Sequence, residues 1–315
     1  SFARLIDSFA GRLTDGAELT MEANPGTLEY GNLADYRGAG INRLSMGVQS
    51  FDDTALQALG RIHSAREARV AIDAAQHAGF DNINVDLMHG LPAQSAAAAL
   101  HDLQLAFTAQ VQHISWYQLT IEPRTEFAQR PPALPAEDTL EDIETTGLSA
   151  LAGAGFERYE ISAYSQPGYQ AQHNRNYWEF GDYLGIGAGA HGKLSSRAAG
   201  GDTRTLNIQR TAQPRQPRLY LQDQTPVAES VAADQLPAEF MMNALRLISG
   251  TPEALYEHRT GQPLADLEPT LTKWRKMGLL APHHLALTPL GLTRPRGQST
   301  PPDNDRPTWR IMERL

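Results

Sequence analysis

Cysteine is absent from all 315 residues. Its absence excludes disulfides, thiolate zinc sites and cysteine-held iron–sulfur clusters built from this chain alone. Long apolar runs are also missing: none reaches the ~18 residues of a membrane-spanning helix, so no transmembrane segment is expected. Positive charge is in deficit. Lys and Arg number 27 against 36 Asp and Glu, for a formal net charge of −9. A general nucleic-acid binder needs a basic face to displace phosphate counterions, so nucleic acid is not an expected partner. The opening SFARLIDSFAGRL lacks a basic flank followed by an apolar block and does not read as a signal peptide. Its first residue is Ser1 rather than Met, which reads as a trimmed start. A cytoplasmic protein is expected, with peripheral membrane contact left open.

What is present suits a folded globular chain: 41% hydrophobic and 20% charged residues, over a length that accommodates one large domain and a smaller one. Residues 2–13 place Phe2, Leu5, Ile6, Phe9 and Leu13 on one helical face. A strand-like run from Glu18 to Ala23 stops at the turn residues Asn24, Pro25 and Gly26. Helix-like residues 28–37 end at Gly38 and Gly40. Asn42 to Val48 is strand-like, followed by a helix with Asp52 or Asp53 as its N-cap. Residues 64–78 form an amphipathic helix with Ala68, Ile72, Ala75 and Ala78 on one face. Further strands are read at 82–92, 113–121 and 156–161, and further helices at 95–109 and 137–153.

This alternation predicts an α/β fold with parallel strands joined by crossover helices. A whole or partial (β/α) barrel is one solution and a doubly wound open sheet is the other. Both bind ligands at the carboxyl ends of their strands. Residues 1–194 are assigned to this domain. Residues 195–232, rich in Arg, Gln, Gly, Thr and Pro, read as a linker or extended hairpin. Residues 233–292 read as a small helical, winged-helix-like domain with a short strand pair around His284 to Leu287. The Pro- and Arg-rich residues 293–315 read as a poorly ordered tail.

Polar residues stand where strands end or turns begin: Glu22, Gln49, Arg61 and Asp86. On a barrel they would converge on one rim. Two carboxylates, an amide and a guanidinium suit a ligand with ribose hydroxyls, an amine and a carboxylate, for which Arg supplies a planar two-pronged donor. Taken singly, each is as readily a loop cap or a surface ion pair. His63 and His77 read as ordinary helix residues, His89 as a turn residue and His283-His284 as solvent-facing. Trp116 and Tyr117 read as core. The residues assign no catalytic group and no metal-ion site.

More specific is a series of strings in order: ANPGTLE, INRLSMGVQSF, ALGRIHSAREA, INVDLMHGLP, YEISAY, HNRNYW and GIGAGAHG. Over residues 1–290 the chain resembles the HemW-type, haem-chaperone branch of the coproporphyrinogen-oxidase-like radical S-adenosylmethionine (SAM) family. The resemblance implies a partial six-stranded (β/α) barrel, short of its first strand, with a small carboxy-terminal domain. It implies that Glu22 contacts SAM, that Gln49 and Asp86 bind its ribose, and that Arg61 grips its carboxylate, with His191 bordering the site. It further implies haem as a bound group, with His173 of HNRNYW, which reads as a polar, Asn- and Arg-rich loop, as the ligand and Tyr177 and Trp178 as apolar surface beside it. Arg175 is then placed to pair with a propionate. Haem-accepting proteins are the implied partners.

The sequence departs from that pattern where the family holds a [4Fe–4S] cluster on a CxxxCxxC loop and then carries a GGTP string. Neither is present, so a cluster is expected only in a longer form of the protein. A missing first strand would leave an unpaired sheet edge and exposed apolar surface. The residues after LALTPLGL depart as well. Two further readings remain open here: an oxygen-independent coproporphyrinogen oxidase, and a SAM-binding barrel without a cluster.

Overall fold

The computed structural model describes residues 2–28, 32–197 and 206–292. Two compact units divide them, the first ending at Gln170 and the second starting at Ala171. In the first, α1 (Phe2–Phe9) leads to β1 (Thr20–Ala23), and α2 (Leu33–Gly38) crosses to β2 (Arg43–Gln49). α3 (Asp53–Ala58) and α4 (Ala65–His77) precede β3 (Ile83–His89). α5 (Ala96–Thr108) precedes β4 (His113–Gln118). α6 (Glu126–Gln129) and α7 (Glu137–Gly153) lead to β5 (Glu157–Glu160) and β6 (Ala163–Ser165).

The six strands form one sheet in the order β1-β2-β3-β4-β6-β5. β1 to β4 run parallel, as the β–α alternation requires. β6 departs from the expected pattern: it pairs antiparallel with both β4 and β5. Only Ile161 and Ser162 separate β5 from β6, and a parallel crossover needs about a dozen residues or more. The Glu160 carboxylate closes that turn by accepting from the Ser162 backbone N–H at 2.8 Å.

Helices α4, α5 and α7 cover the apolar face of the sheet. Ala68, Ala71, Ile72 and Ala75 of α4 are buried, with Ala99, Leu103 and Ala106 of α5 and Ile143 and Leu151 of α7. They meet Leu44, Met46, Val48, Ile83, Val85, Leu87, Ile114 and Trp116. Caps set the helix starts. Asp52 accepts from Ala55 N–H at 2.8 Å, so Asp52 caps α3, while Asp53 accepts from the first N–H of α4, that of Ala65, at 2.7 Å. Ser64 and Glu67 close a reciprocal capping box on α4. On α1 only part of the expected apolar face is covered: Ile6 packs against the core, while Leu5 and Leu13 are exposed.

The second unit begins with α8 (Gln172–Trp178) and continues through β7 (His191–Arg197), β8 (Leu206–Ala212), α9 (Pro217–Gln222) and β9 (Val227–Ser230). These strands make a separate antiparallel sheet in the order β7-β8-β9. β7 runs into residues 195–232, and β8 and β9 lie within them. α10 (Leu236–Ala244), α11 (Ala254–Thr260), α12 (Glu268–Lys276) and α13 (Pro289–Leu292) follow. Phe240, Tyr256, Leu271, Trp274 and Leu285 are among the residues of their core. The expected short strand pairing is present as bridges Thr251↔Leu285 and Leu280↔Leu287. His283 and His284 are exposed. The expectations for residues 29–31, 198–205 and 293–315 fall outside the described residues. Among those described, no helix is long and apolar enough to cross a membrane.

Candidate functional site

Side chains alternate along a strand, so the residues between the core positions of β1 to β4 share the opposite face. Pairing puts Glu22 beside Ser45, Ser45 beside Asn84 and Asn84 beside His113 in one row. Asp86 beside Ser115 forms the next row toward the carboxyl ends. This face is polar and hydrogen-bonded. Asn84 Nδ2 donates to Ser45 Oγ at 2.8 Å and to Asp86 Oδ1 at 2.9 Å. Burial pushes the Asp86 carboxyl above the ordinary carboxylate range. Hydrogen bonds from Asn84 and Ser115 oppose that rise, and the charge of Glu22 adds to it.

At the rim, Gln49 ends β2 with φ +69°, a strained backbone for a residue with a Cβ. Its side chain is buried, and Oε1 accepts from the Tyr117 hydroxyl at 2.8 Å. Gly47 makes room for it: a Cβ there would lie 3.1 Å from both Gln49 Nε2 and Asn24 Oδ1. Tyr117 ties the rim together electrostatically. Burial pushes its phenol up to about 12, the Asp86 charge pushes the same way, and Arg61 pulls it down. Tyr117 therefore stays protonated at neutral pH and keeps donating to Gln49. Arg61 itself is exposed, just after Gly60, whose φ of +68° ends the α3 turn. Glu22, Gln49, Arg61 and Asp86 thus lie around one polar sheet face at the carboxyl ends of β1 to β3.

His173 and His191 belong to the second unit. HNRNYW, expected as a loop, is helical and makes up most of α8, because each of its residues tolerates helix and Gly181 waits until the turn beyond it. Gly181 is required there: a Cβ would sit 1.9 Å from Asn176 Oδ1, whose amide donates to the Asp182 carbonyl at 3.0 Å. His173 and Tyr177 share one helical face four residues apart, with ring centroids 6.2 Å apart and edge-on. Tyr177 meets Tyr183 at 4.8 Å. Trp178 carries the Arg246 guanidinium 4.3 Å from its ring centroid. Arg175 pairs with Glu179 one helical turn on, at 2.8 Å.

His191 opens β7 and is exposed. With Tyr177, Trp178, Tyr183, Arg210 and Asn243 it lines a cleft of about 430 Å³. The glycines of GIGAGAHG have steric work here, since a Cβ on Gly185 would lie 2.3 Å from the His191 carbonyl oxygen. Lys193 fixes the turn before β7, donating to the Phe180 carbonyl at 3.1 Å and to Asp182 Oδ1 at 3.0 Å.

Residues 2–106 match the family model described as the Radical SAM superfamily. Residues 231–293 match the model described as the HemN C-terminal domain. The Heme chaperone HemW of Escherichia coli (strain K12) is 48% identical over 260 residues, covering 82% of this chain and 67% of that relative. The chain belongs to the HemW haem-chaperone family. Heme chaperone HemW of Haemophilus influenzae is likewise 48% identical, over 248 residues, covering 78% of this chain and 63% of that protein. The mitochondrial radical S-adenosyl methionine domain-containing protein 1 of Bos taurus is 44% identical over 204 residues, 64% of this chain and 46% of its own. The chain therefore spans about two thirds of these relatives' length, or less. Among solved structures, coproporphyrinogen III oxidase (HemN) from Escherichia coli matches with a TM-score of 0.68 at 19% identity, over 89% of this chain and 68% of that one. That likeness establishes the fold as the α/β, barrel-like type of the radical SAM proteins.

Sequence reasoning missed the support layer under the rim: Asn84, His113, Ser115 and Tyr117. The signal was available. In HISWYQ the polar His113, Ser115 and Tyr117 alternate with the apolar Ile114 and Trp116, which separates Tyr117 from the core to which it was assigned. Trp116 is in the core as expected, 2% exposed. His89 is buried against it at 4.1 Å, and His63 is buried with Nε2 3.0 Å from the Val48 carbonyl oxygen.

Proposed function

We propose that this chain carries the SAM-binding and haem-binding parts of a haem chaperone, which passes haem to acceptor proteins. The observation that supports it most is the gathering of Glu22, Gln49, Arg61 and Asp86 on one polar face at the strand ends. Those residues fit SAM. Asp86 and Gln49 offer acceptors and a donor to ribose hydroxyls, Glu22 offers a carboxylate to the amino group, and Arg61 offers its fork to the ligand carboxylate. The strained Gln49 backbone and the Cβ-free Gly47 belong to the same cradle.

A thiolate-bound [4Fe–4S] cluster does not fit the residues of this chain, which include no cysteine, so no radical step is assigned to them. Haem is the cargo in this reading. His173 is the proposed ligand, through its half-exposed position on α8 and the edge-on Tyr177 beside it. Arg175 engages Glu179 through Nη2, and its other guanidinium nitrogens are proposed to serve a propionate. This reading places the exchange in the cytoplasm.

Arg61→Ala is expected to weaken SAM binding by about 1.5–3 kcal/mol, the range for a hydrogen bond to a charged group. Isothermal titration of the chain with SAM measures it. Equal affinity of the variant and the wild type removes Arg61 from the site.

A further inference from the structure

The rim residues stand on a layer that the SAM reading does not use, and its hydrogen bonds have only one consistent direction. We propose that His113 is a positioning residue for the adenosyl site: through Asn84 it sets the direction in which Asp86 presents its carboxylate to ribose hydroxyls. The inference rests on the reading of Asp86 as a ribose-binding residue.

The direction follows from donors that cannot reverse. The backbone N–H of Ser115 only donates, and its partner at 3.1 Å is Asn84 Oδ1. This fixes the carboxamide, oxygen toward β4 and nitrogen toward Ser45 and Asp86. His113 Nδ1 lies 2.6 Å from the same Oδ1, so it must carry a hydrogen and donate. Nε2 lies 2.9 Å from the Tyr159 hydroxyl, which can donate to it. His113 is fully buried, and the Tyr159 ring meets it edge-on. A chain of hydrogen bonds therefore runs from Tyr159 through His113 and Asn84 to Asp86.

Removing the Nδ1 donor changes what Asn84 can do. Its Oδ1 would lose its shortest bond and keep those from the Ser115 N–H and hydroxyl, both at 3.1 Å. The amide would keep its direction but be held less firmly, and its Nδ2 would donate less well to Asp86 Oδ1. The carboxylate would then rotate more freely away from the geometry the network holds. A second layer of this kind aligns a binding group without touching the ligand.

Conservative amides separate this role from a merely structural one. Asn at 113 can place its amide nitrogen where Nδ1 sits, and Gln can place its nitrogen where Nε2 sits. Both keep a polar group in the buried site. Titration calorimetry on the chain would use two probes, S-adenosylhomocysteine and its counterpart lacking both ribose hydroxyls. The readout is the ratio of the two affinities, which a general loss of folded protein does not move. His113→Gln is expected to lower that ratio about tenfold, the loss of one well-made hydrogen bond to a charged group. His113→Asn is expected to keep it near the wild-type value. A His113→Gln protein with the wild-type ratio overturns the inference and leaves the adenosyl site standing. Wild type that binds neither probe overturns both.

Discussion

Glu18→Ala is expected to destabilise the first unit by about 3–5 kcal/mol, the range for removing one partner of a buried ion pair. Arg43 lies on the polar face of β2 with its side chain 2% exposed, and Glu18, 3.8 Å away, is 6% exposed. Burial pulls the Arg43 pKa down, and Glu18 is the largest influence opposing that. Arg43 Nε is buried without a hydrogen-bond partner, so the guanidinium depends on neighbouring charge. Removing Glu18 leaves that charge under-compensated, with only the weaker influences of Tyr159, Asp86 and Glu22. Urea unfolding followed by far-UV circular dichroism gives the loss directly. Replacing both residues by leucine should recover much of it, because the desolvation cost then disappears with the charges. A Glu18→Ala loss below about 1 kcal/mol, as for an exposed pair, would show that water reaches Arg43.

Trp116→Ala should cost about 3–5 kcal/mol, as large-to-small changes of aromatic core residues do. Trp116 lies on the apolar face of β4, against the His89 ring and, at 6.3 Å, the Tyr164 ring. Its far edge fills the space over Gly147 of α7, where an added Cβ would fall 2.0 Å from the indole Cη2. Gly147→Ala is therefore destabilising as well, through overpacking. The two changes share one volume, so they should not add: the alanine methyl at 147 enters the cavity left at 116. A double-mutant cycle by denaturant unfolding tests this. Strict additivity would mean that the indole and α7 do not meet.

The parallel core of the fold was legible because each strand up to β4 is followed by a helix with its own start and stop signals. Asp52 and Ser64 as caps and Gly79 as a stop can be read from local chemistry alone. β6 was not legible, since the run 156–161 ends before it and its three residues, Ala163–Ser165, are too short to show a period of their own. HNRNYW reads as a loop from its Asn-rich composition, which outweighs a helical pattern only one face wide. The rim residues could be named from their places at strand ends. Their support was legible only in part: alternation in INVDLMH and HISWYQ separates Asn84, Asp86, His113 and Ser115 from the core positions, but which of them meet depends on the register of β2, β3 and β4. The same limit applied to Arg175, whose helical partner Glu179 becomes apparent only once α8 is helical.

Optical titration of the chain with haemin, in wild type and in His173→Ala, bears most directly on haem carriage. Wild type is expected to show a shifted, sharpened Soret band of imidazole-ligated haem, and His173→Ala to lose that band shape and bind more weakly. The same Soret spectrum and the same affinity in both proteins would contradict His173 as the ligand.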